Sequence, residues 1–424
     1  MHIKLYEAKK IISSPIVIVL TIIFILFNIL TIYNNSYIKD ELKIINNIIG
    51  EFGYEINDDM LNNMNLEYKE KIKKFNEITK DKLNKTYPTM EEFINSDEYN
   101  KYTNNDKTFT YEEIEFFNEL NLLEAYKYLA VEQVKSYEGI NILETGDKDI
   151  KAYGLSGKAK EIAKKRYETL DKRFEQIKEA GDYKSLFFLG NPYRTYSLLF
   201  QDILSNCIYE IMILVVLITS YLINYEFDNK TSLLVYSTKR GRNNDKDKLI
   251  ICLLSSFIIS LIILGATLLV YFITFNYSNI LNIPLNSAFN WENLMPIINI
   301  FGHTFINQLM LSILIVIVCM LIFTTIVFVI SKLLKNSYIV FFIFLIIFGI
   351  NLSVSAFVSK SSPIIMYLGY DVFNLAIRPG SWFTSKLPFI ANKYYELVTI
   401  VVWGCMCMLS LMFVIKRFNK EDIN

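Results

Sequence analysis

Six stretches of this chain are apolar enough, for long enough, to cross a bilayer: residues 15–33, 204–223, 249–272, 309–330, 338–357 and 397–415. A helix needs about 20 apolar residues to span roughly 30 Å of hydrocarbon. Inside hydrocarbon every backbone N–H and C=O must find its partner within the protein, which leaves helices as the simplest solution for isolated apolar runs. Composition points the same way. At 52% apolar the chain exceeds an ordinary soluble protein, while 20% charged residues are too many for one wholly within a membrane. The expected fold class is an all-α membrane protein with six transmembrane helices and a water-facing helical domain.

The first stretch is longer than a signal-peptide core, and no Ala-x-Ala site follows it in Thr31-Ile32-Tyr33-Asn34-Asn35, so it is expected to stay as an anchor. Orientation follows from Lys and Arg near the span ends. With the N-terminus inside, the inner segments hold fourteen basic residues, six of them in the second inner loop: Lys230, Lys239, Arg240, Arg242, Lys246 and Lys248. The outer loop 276–304 holds none. Both termini are therefore expected in the cytoplasm, with residues 34–197 outside.

That division gives 1–33 as an interfacial helix and first span, 34–197 as an extracytoplasmic domain, and 198–424 as the remaining five spans. The outer domain carries 31 acidic and 25 basic residues in mixed order, which suits a solvated helical surface. Residues 58–85, 111–137 and 157–180 have helical character; Asn57 or Asp58 and Ser156 sit where N-caps belong, and Gly139 and Gly181 where helices end. Asn191-Pro192 would open the helix leading into the second span. All five cysteines fall within apolar stretches, so no disulfide is expected to hold the outer domain together.

No catalytic set is present. The chain lacks a Walker A loop, a His-Glu-x-x-His and a Gly-x-Ser-x-Gly, and it has only two histidines, His2 and His303. It is not expected to be an enzyme, to bind a metal or to engage nucleic acid.

The most specific segment lies between the second and third spans: Tyr225-Glu226-Phe227-Asp228-Asn229-Lys230-Thr231-Ser232-Leu233-Leu234-Val235-Tyr236-Ser237-Thr238-Lys239-Arg240-Gly241-Arg242, running on to Lys248. A basic loop that only set topology would not require this order of Glu, Thr, Leu-Leu and Ser-Thr. The segment resembles the cytoplasmic coupling element of ABC-2 type transport permeases. Glu226, Thr231, Leu233, Leu234, Ser237, Thr238, Arg242 and Lys248 stand at the family's places, whereas Lys230 replaces its usual Gly and Lys239 its usual Pro.

Two further features resemble that family. Residues 2–14 mix apolar and basic residues as a short interfacial helix would, like the family's connecting helix. Between the fifth and sixth spans, within 359–393, two apolar pieces at 364–368 and 372–377 are too short to cross and are broken by Pro and Gly, as in a pair of re-entrant half-helices.

The resemblance implies a permease subunit, in the fold of ABC-2 (type V) exporters, that moves an amphipathic peptide, lipid or drug outward. It implies dimerisation, with itself or a paralogue, and one cytoplasmic ATPase per permease, which would carry ATP and Mg. It also implies that 226–235 forms a short helix seated on that ATPase. Glu226, Thr231, Leu233, Leu234, Arg240 and Arg242 would be the coupling residues, with Thr231 capping or positioning the turn.

Within the second span Asp202, Asn206 and Glu210 recur at four-residue spacing, a polar stripe expected to line the translocation path or a dimer seam. An ionised Glu210 facing lipid would cost several kcal/mol, so it must meet protein or water. The alternative reading is a membrane-anchored sensor or scaffold that binds a ligand outside without transport. The Asn-, Lys- and Ile-rich composition suggests the plasma membrane of an AT-rich bacterium.

Overall fold

The computed structural model describes residues 2–99, 108–188, 194–237, 244–290, 297–384 and 393–420. Six of its helices are long and apolar enough to cross a membrane, and the chain is an all-α, multi-pass membrane protein. In chain order, α1 (His2–Ile12) and the first span α2 (Pro15–Asn34) lead into an inserted region. The insert comprises α3 (Lys39–Phe52), α4 (Asp58–Leu83), α5 (Met90–Ile94), α6 (Tyr111–Glu138), α7 (Ile142–Ala152) and α8 (Gly157–Ala180). The second span is α9 (Arg194–Asp228), followed by the short α10 (Ser232–Tyr236). Then come the spans α11 (Asn244–Thr274), α12 (Phe305–Leu334) and α13 (Ser337–Ser353), the short α14 (Val372–Ala376), and the last span α15 (Tyr395–Lys420).

The bundle is built around α9. It packs against α2, α11, α12 and α13 and is buried along most of its length, while α2, α13 and α15 are buried along little of theirs. Their outward rows of Ile, Leu and Phe would be a liability in water; in hydrocarbon they meet the solvent they suit. α1 and α2 are separate helices because Ser14 is extended and Pro15 occupies the first turn of α2, where its fixed φ fits and its missing N–H is not needed. Six crossings place both termini at one end. The contacts agree: Lys10 of α1, Tyr236 of α10 and Phe418 of α15 all belong to that end, and the insert lies at the other.

In the insert, the three helices read from sequence form nearly as expected. Asn57 caps α4 by accepting from Met60 N at 2.8 Å, Thr110 and Glu113 form a reciprocal capping box on α6, and Gly181 at φ +79° ends α8. Ser156 makes no side-chain cap; its backbone N–H instead donates to Lys360 O at 3.2 Å, tying α8 to the segment after α13. Gly139 has φ −80°, an ordinary helical value, so it is not a left-handed terminator.

The core of the insert is aromatic. Phe75, Tyr87, Phe93, Phe109 and Phe117 meet mostly edge to face, and Glu124, buried beneath them, accepts from Tyr68 Oη and from Met90 N (2.8 Å). All five cysteines are free. The start of α9 is described from Arg194, so Asn191-Pro192 lies outside the described residues, and residues 198–203 form a π-helical turn before regular α-helix resumes.

The segment between α13 and α15 departs from a pair of re-entrant half-helices. Pro363–Met366 is a single 3₁₀ turn that packs on α8 of the insert, where Arg166 Nη2 donates to Met366 O at 3.1 Å. Only the second piece enters the bundle, as α14, buried against α12, α13 and α15. Asp371 starts that helix by accepting from Asn374 N at 3.1 Å, and Trp382 closes over it by donating from Nε1 to Leu375 O at 2.9 Å. Gln308 Nε2 donates to Trp382 O at 2.8 Å, and Glu396 accepts from Phe383 N at 2.6 Å. These polar groups at the span ends hold the loop in place.

Candidate functional site

The end of α9 closes in a Schellman turn. Thr231 N donates to Glu226 O at 2.8 Å and Lys230 N to Phe227 O at 3.1 Å, with Lys230 at φ +57°. Lys230 therefore stands in the left-handed position, the place where the resembled family's Gly would be unstrained. Only Ser232–Tyr236 forms a separate helix; Glu226 belongs to α9, so residues 226–235 do not make one coupling helix. Thr231 precedes α10 without a side-chain cap and acts through its backbone N–H.

This turn sorts the expected coupling residues into two kinds. Leu233 and Leu234 are 61% and 75% exposed, an apolar pair on a helix that projects beyond the spans. Glu226 is 3% exposed and points into the bundle. Tyr236 roots α10 by packing on Phe227 at 5.6 Å and Phe418 at 5.3 Å between ring centroids. Arg240 and Arg242, with Thr238 and Lys239, lie outside the described residues.

Around Glu226 the structure assembles a charge cluster that sequence reading did not foresee. Glu226 pairs with Lys248 of α11 through one carboxylate oxygen and with Lys10 of α1 through the other, at 3.2 Å. Lys10 also pairs with Glu7 at 2.9 Å and lies 4.1 Å from the centre of the Tyr225 ring. Lys248 donates a further bond to Leu222 O at 2.9 Å, and Asn244 Nδ2 donates to Glu7 at 3.3 Å. Beside them Lys332 of α12 pairs with Asp245 of α11 at 2.5 Å, and its ammonium sits 4.2 Å from the centre of the Phe418 ring. Three carboxylates and three ammonium groups balance.

Burial disfavours the Lys10 ammonium, yet the hydrogen bond to Glu7 and the charge of Glu226 more than compensate, holding its pKa above the ordinary lysine value. Removing a single partner from such a buried pair costs about 3–5 kcal/mol, because the other charge is left stranded. The cluster therefore locks α1, α9 and α11 together, with α12 joined through Asp245, at the end of α9 that leads through the Schellman turn to the exposed leucines. Of its members only Glu226 and Lys248 carried a motif signal. Glu7 and Lys10 show only the spacing of an amphipathic helix, and Lys332 reads as a topology charge.

The mid-span stripe does not hold together. Four-residue steps drift about 40° each around a helix, and Asp202 lies in the π-helical turn. Asp202 is exposed, Asn206 half-buried and Glu210 buried. Glu210 is turned inward. It accepts from Asn28 Nδ2 of α2 at 2.7 Å, and the same amide nitrogen lies 3.1 Å from Thr267 Oγ1 of α11. Asn28, a lone amide in an apolar run, thus ties three spans in their interior. Among the described residues no group of three or more His, Cys, Asp or Glu is placed to hold a metal ion.

No family model, curated protein or solved structure matches this chain. The functional reading rests on the geometry and on the residues of the α9–α11 segment.

Proposed function

We propose that this chain is the permease subunit of an ATP-driven exporter of the ABC-2 type. One observation carries the reading: an exposed Leu233–Leu234 pair stands on a five-residue helix joined by one Schellman turn to a buried, charge-balanced lock between α1, α9 and α11. An apolar pair on a water-facing helix suits a groove on a partner, and the lock suits the transfer of that partner's motion. A force on α10 reaches α9 through the short Schellman turn and α15 through Tyr236. In this reading Leu233 and Leu234 touch the ATPase, while Glu226, Lys248 and Lys10 pass the movement inward.

ATP and Mg belong to the partner, two permeases form the path, and the cargo is an amphipathic peptide, lipid or drug. In this reading both termini lie in the cytoplasm of a bacterium and the insert lies outside.

The test is affinity purification of the full tagged chain from its own membrane in mild detergent. An ATPase should co-purify in stoichiometric amount and be lost with Leu233→Asp/Leu234→Asp. Glu226→Ala should keep the ATPase bound while substrate no longer stimulates ATP hydrolysis. Recovery of a folded chain without any ATPase would overturn the proposal in favour of a sensor or scaffold. The docking of Pro363–Met366 on α8 favours that second reading, since it would let the insert signal to α14 without a motor.

A further inference from the structure

Where the chain leaves α13, two features meet within a few residues. The first is a groove of about 370 Å³ on the outer face of this span, walled by Ile346, Gly349, Ile350, Ser353, Val354 and Phe357. Gly349 makes the notch, for a Cβ there would meet nothing within 4 Å. Ile350, on a helix apolar enough to lie in hydrocarbon, is 61% exposed, and Phe357, just past its end, is 86% exposed. What fills an apolar groove in that setting is an acyl chain.

The second feature begins at Lys360, three residues past Phe357 and so at most about 11 Å along the chain. Lys360 stands beside Gly154, which lines a cleft of about 570 Å³ between α7 and α8 together with Asp147, Lys151, Lys160 and Lys164. The Lys360 ammonium lies 3.7 Å from where a Cβ on Gly154 would stand. Lys164 is neutralised by Asp147 at 3.3 Å. Among the described residues Lys151, Lys160 and Lys360 make no ion pair. Two uncompensated ammonium groups thus line the cleft and a third, from the segment after α13, stands beside its Gly154 wall, in an insert that is acidic as a whole.

The cleft is also held in register with the membrane. Ser156 N donates to Lys360 O at 3.2 Å and Ala159 N to Ser361 O at 3.4 Å, fixing the first turn of α8 to the segment leaving the span. Lys360 lies four residues past Ala356, where the apolar span including its final 3₁₀ turn ends, which is the depth of lipid headgroups.

We propose that the groove and the cleft together bind one anionic phospholipid, with an acyl chain along α13 and the phosphate among Lys151, Lys160 and Lys360. The bound lipid bridges the bundle and the insert, so the anionic content of the leaflet on the insert's side sets how firmly the insert is seated. The proposal stands whether or not the chain transports anything.

The test uses the full chain reconstituted in vesicles of equal phosphatidylglycerol and phosphatidylcholine, extracted gently and weighed by native mass spectrometry. One phosphatidylglycerol should be retained in clear preference to phosphatidylcholine. Each surface lysine strengthens attraction to anionic lipid by roughly fivefold. Lys151→Gln/Lys160→Gln/Lys360→Gln should therefore lower retention by about tenfold or more, and Lys69→Gln/Lys73→Gln/Lys80→Gln, on exposed residues of α4, should leave it unchanged. Gly349→Leu, which fills the notch in open space, should also weaken retention.

Equal retention of both lipids would overturn the proposal, as would an equal loss in the two lysine triples. Displacement of the lipid by millimolar inorganic phosphate would mean a plain anion site, and an inert Gly349→Leu would remove the acyl-chain half. A stable dimer that buries Gly349 and excludes lipid would overturn it as well.

Discussion

Lys230 shows how one residue reports a backbone requirement. A side chain in the left-handed region costs about 1–2 kcal/mol, and Gly avoids that cost while losing more entropy on folding. Lys230→Gly should therefore stabilise the chain by about 1 kcal/mol, seen as a higher melting temperature in detergent. An unchanged melting temperature would mean that the Lys230 side chain makes an interaction of similar worth. The motif was legible in the sequence as an order of residue types, but the direction each side chain faces was not. Glu226 and Leu233 lie seven residues apart, and the turn between them sends one into the bundle and the other out of it. Asn28 was invisible for a related reason: a single amide in an apolar run declares no partner until the neighbouring helices arrive.

Among the elements, those with strong periodicity and good caps were readable. The helices α4, α6 and α8 fall within two residues of their expected ends. The helix α7 was missed because Gly146 in its middle weakens any helical signal. Its packing explains the glycine: a Cβ there would stand 2.4 Å from Cγ of Tyr167, a buried ring on α8. Gly146→Ala should destabilise the insert by about 1–3 kcal/mol through overpacking, which hydrogen exchange of α7 and α8 amides would register as faster exchange. Protection equal to that of the unaltered chain would show that the ring can move aside. The 364–368 piece was misplaced because its apolarity suited lipid and a protein surface equally. Its contact with α8 decided between them.

For the whole molecule the decisive property is sidedness. Leu234 on α10 and Tyr111 at the start of α6 are both exposed, at opposite ends of the bundle. With the five native cysteines replaced, Leu234→Cys and Tyr111→Cys should react with a membrane-impermeant thiol reagent from opposite faces of sealed vesicles. Labelling of both from one face would break the six-span topology. The helical class and the six apolar spans were legible in the sequence alone, because hydrocarbon allows an apolar run little choice of structure. Tertiary structure decided the rest: that α9 is the hub, that Lys10, Lys248 and Glu226 share one buried lock, that Glu210 turns inward, and that the segment after α13 serves the insert. Each depends on residues far apart in the chain meeting across helix faces, and spacing along one helix fixes a face without saying what will lie against it.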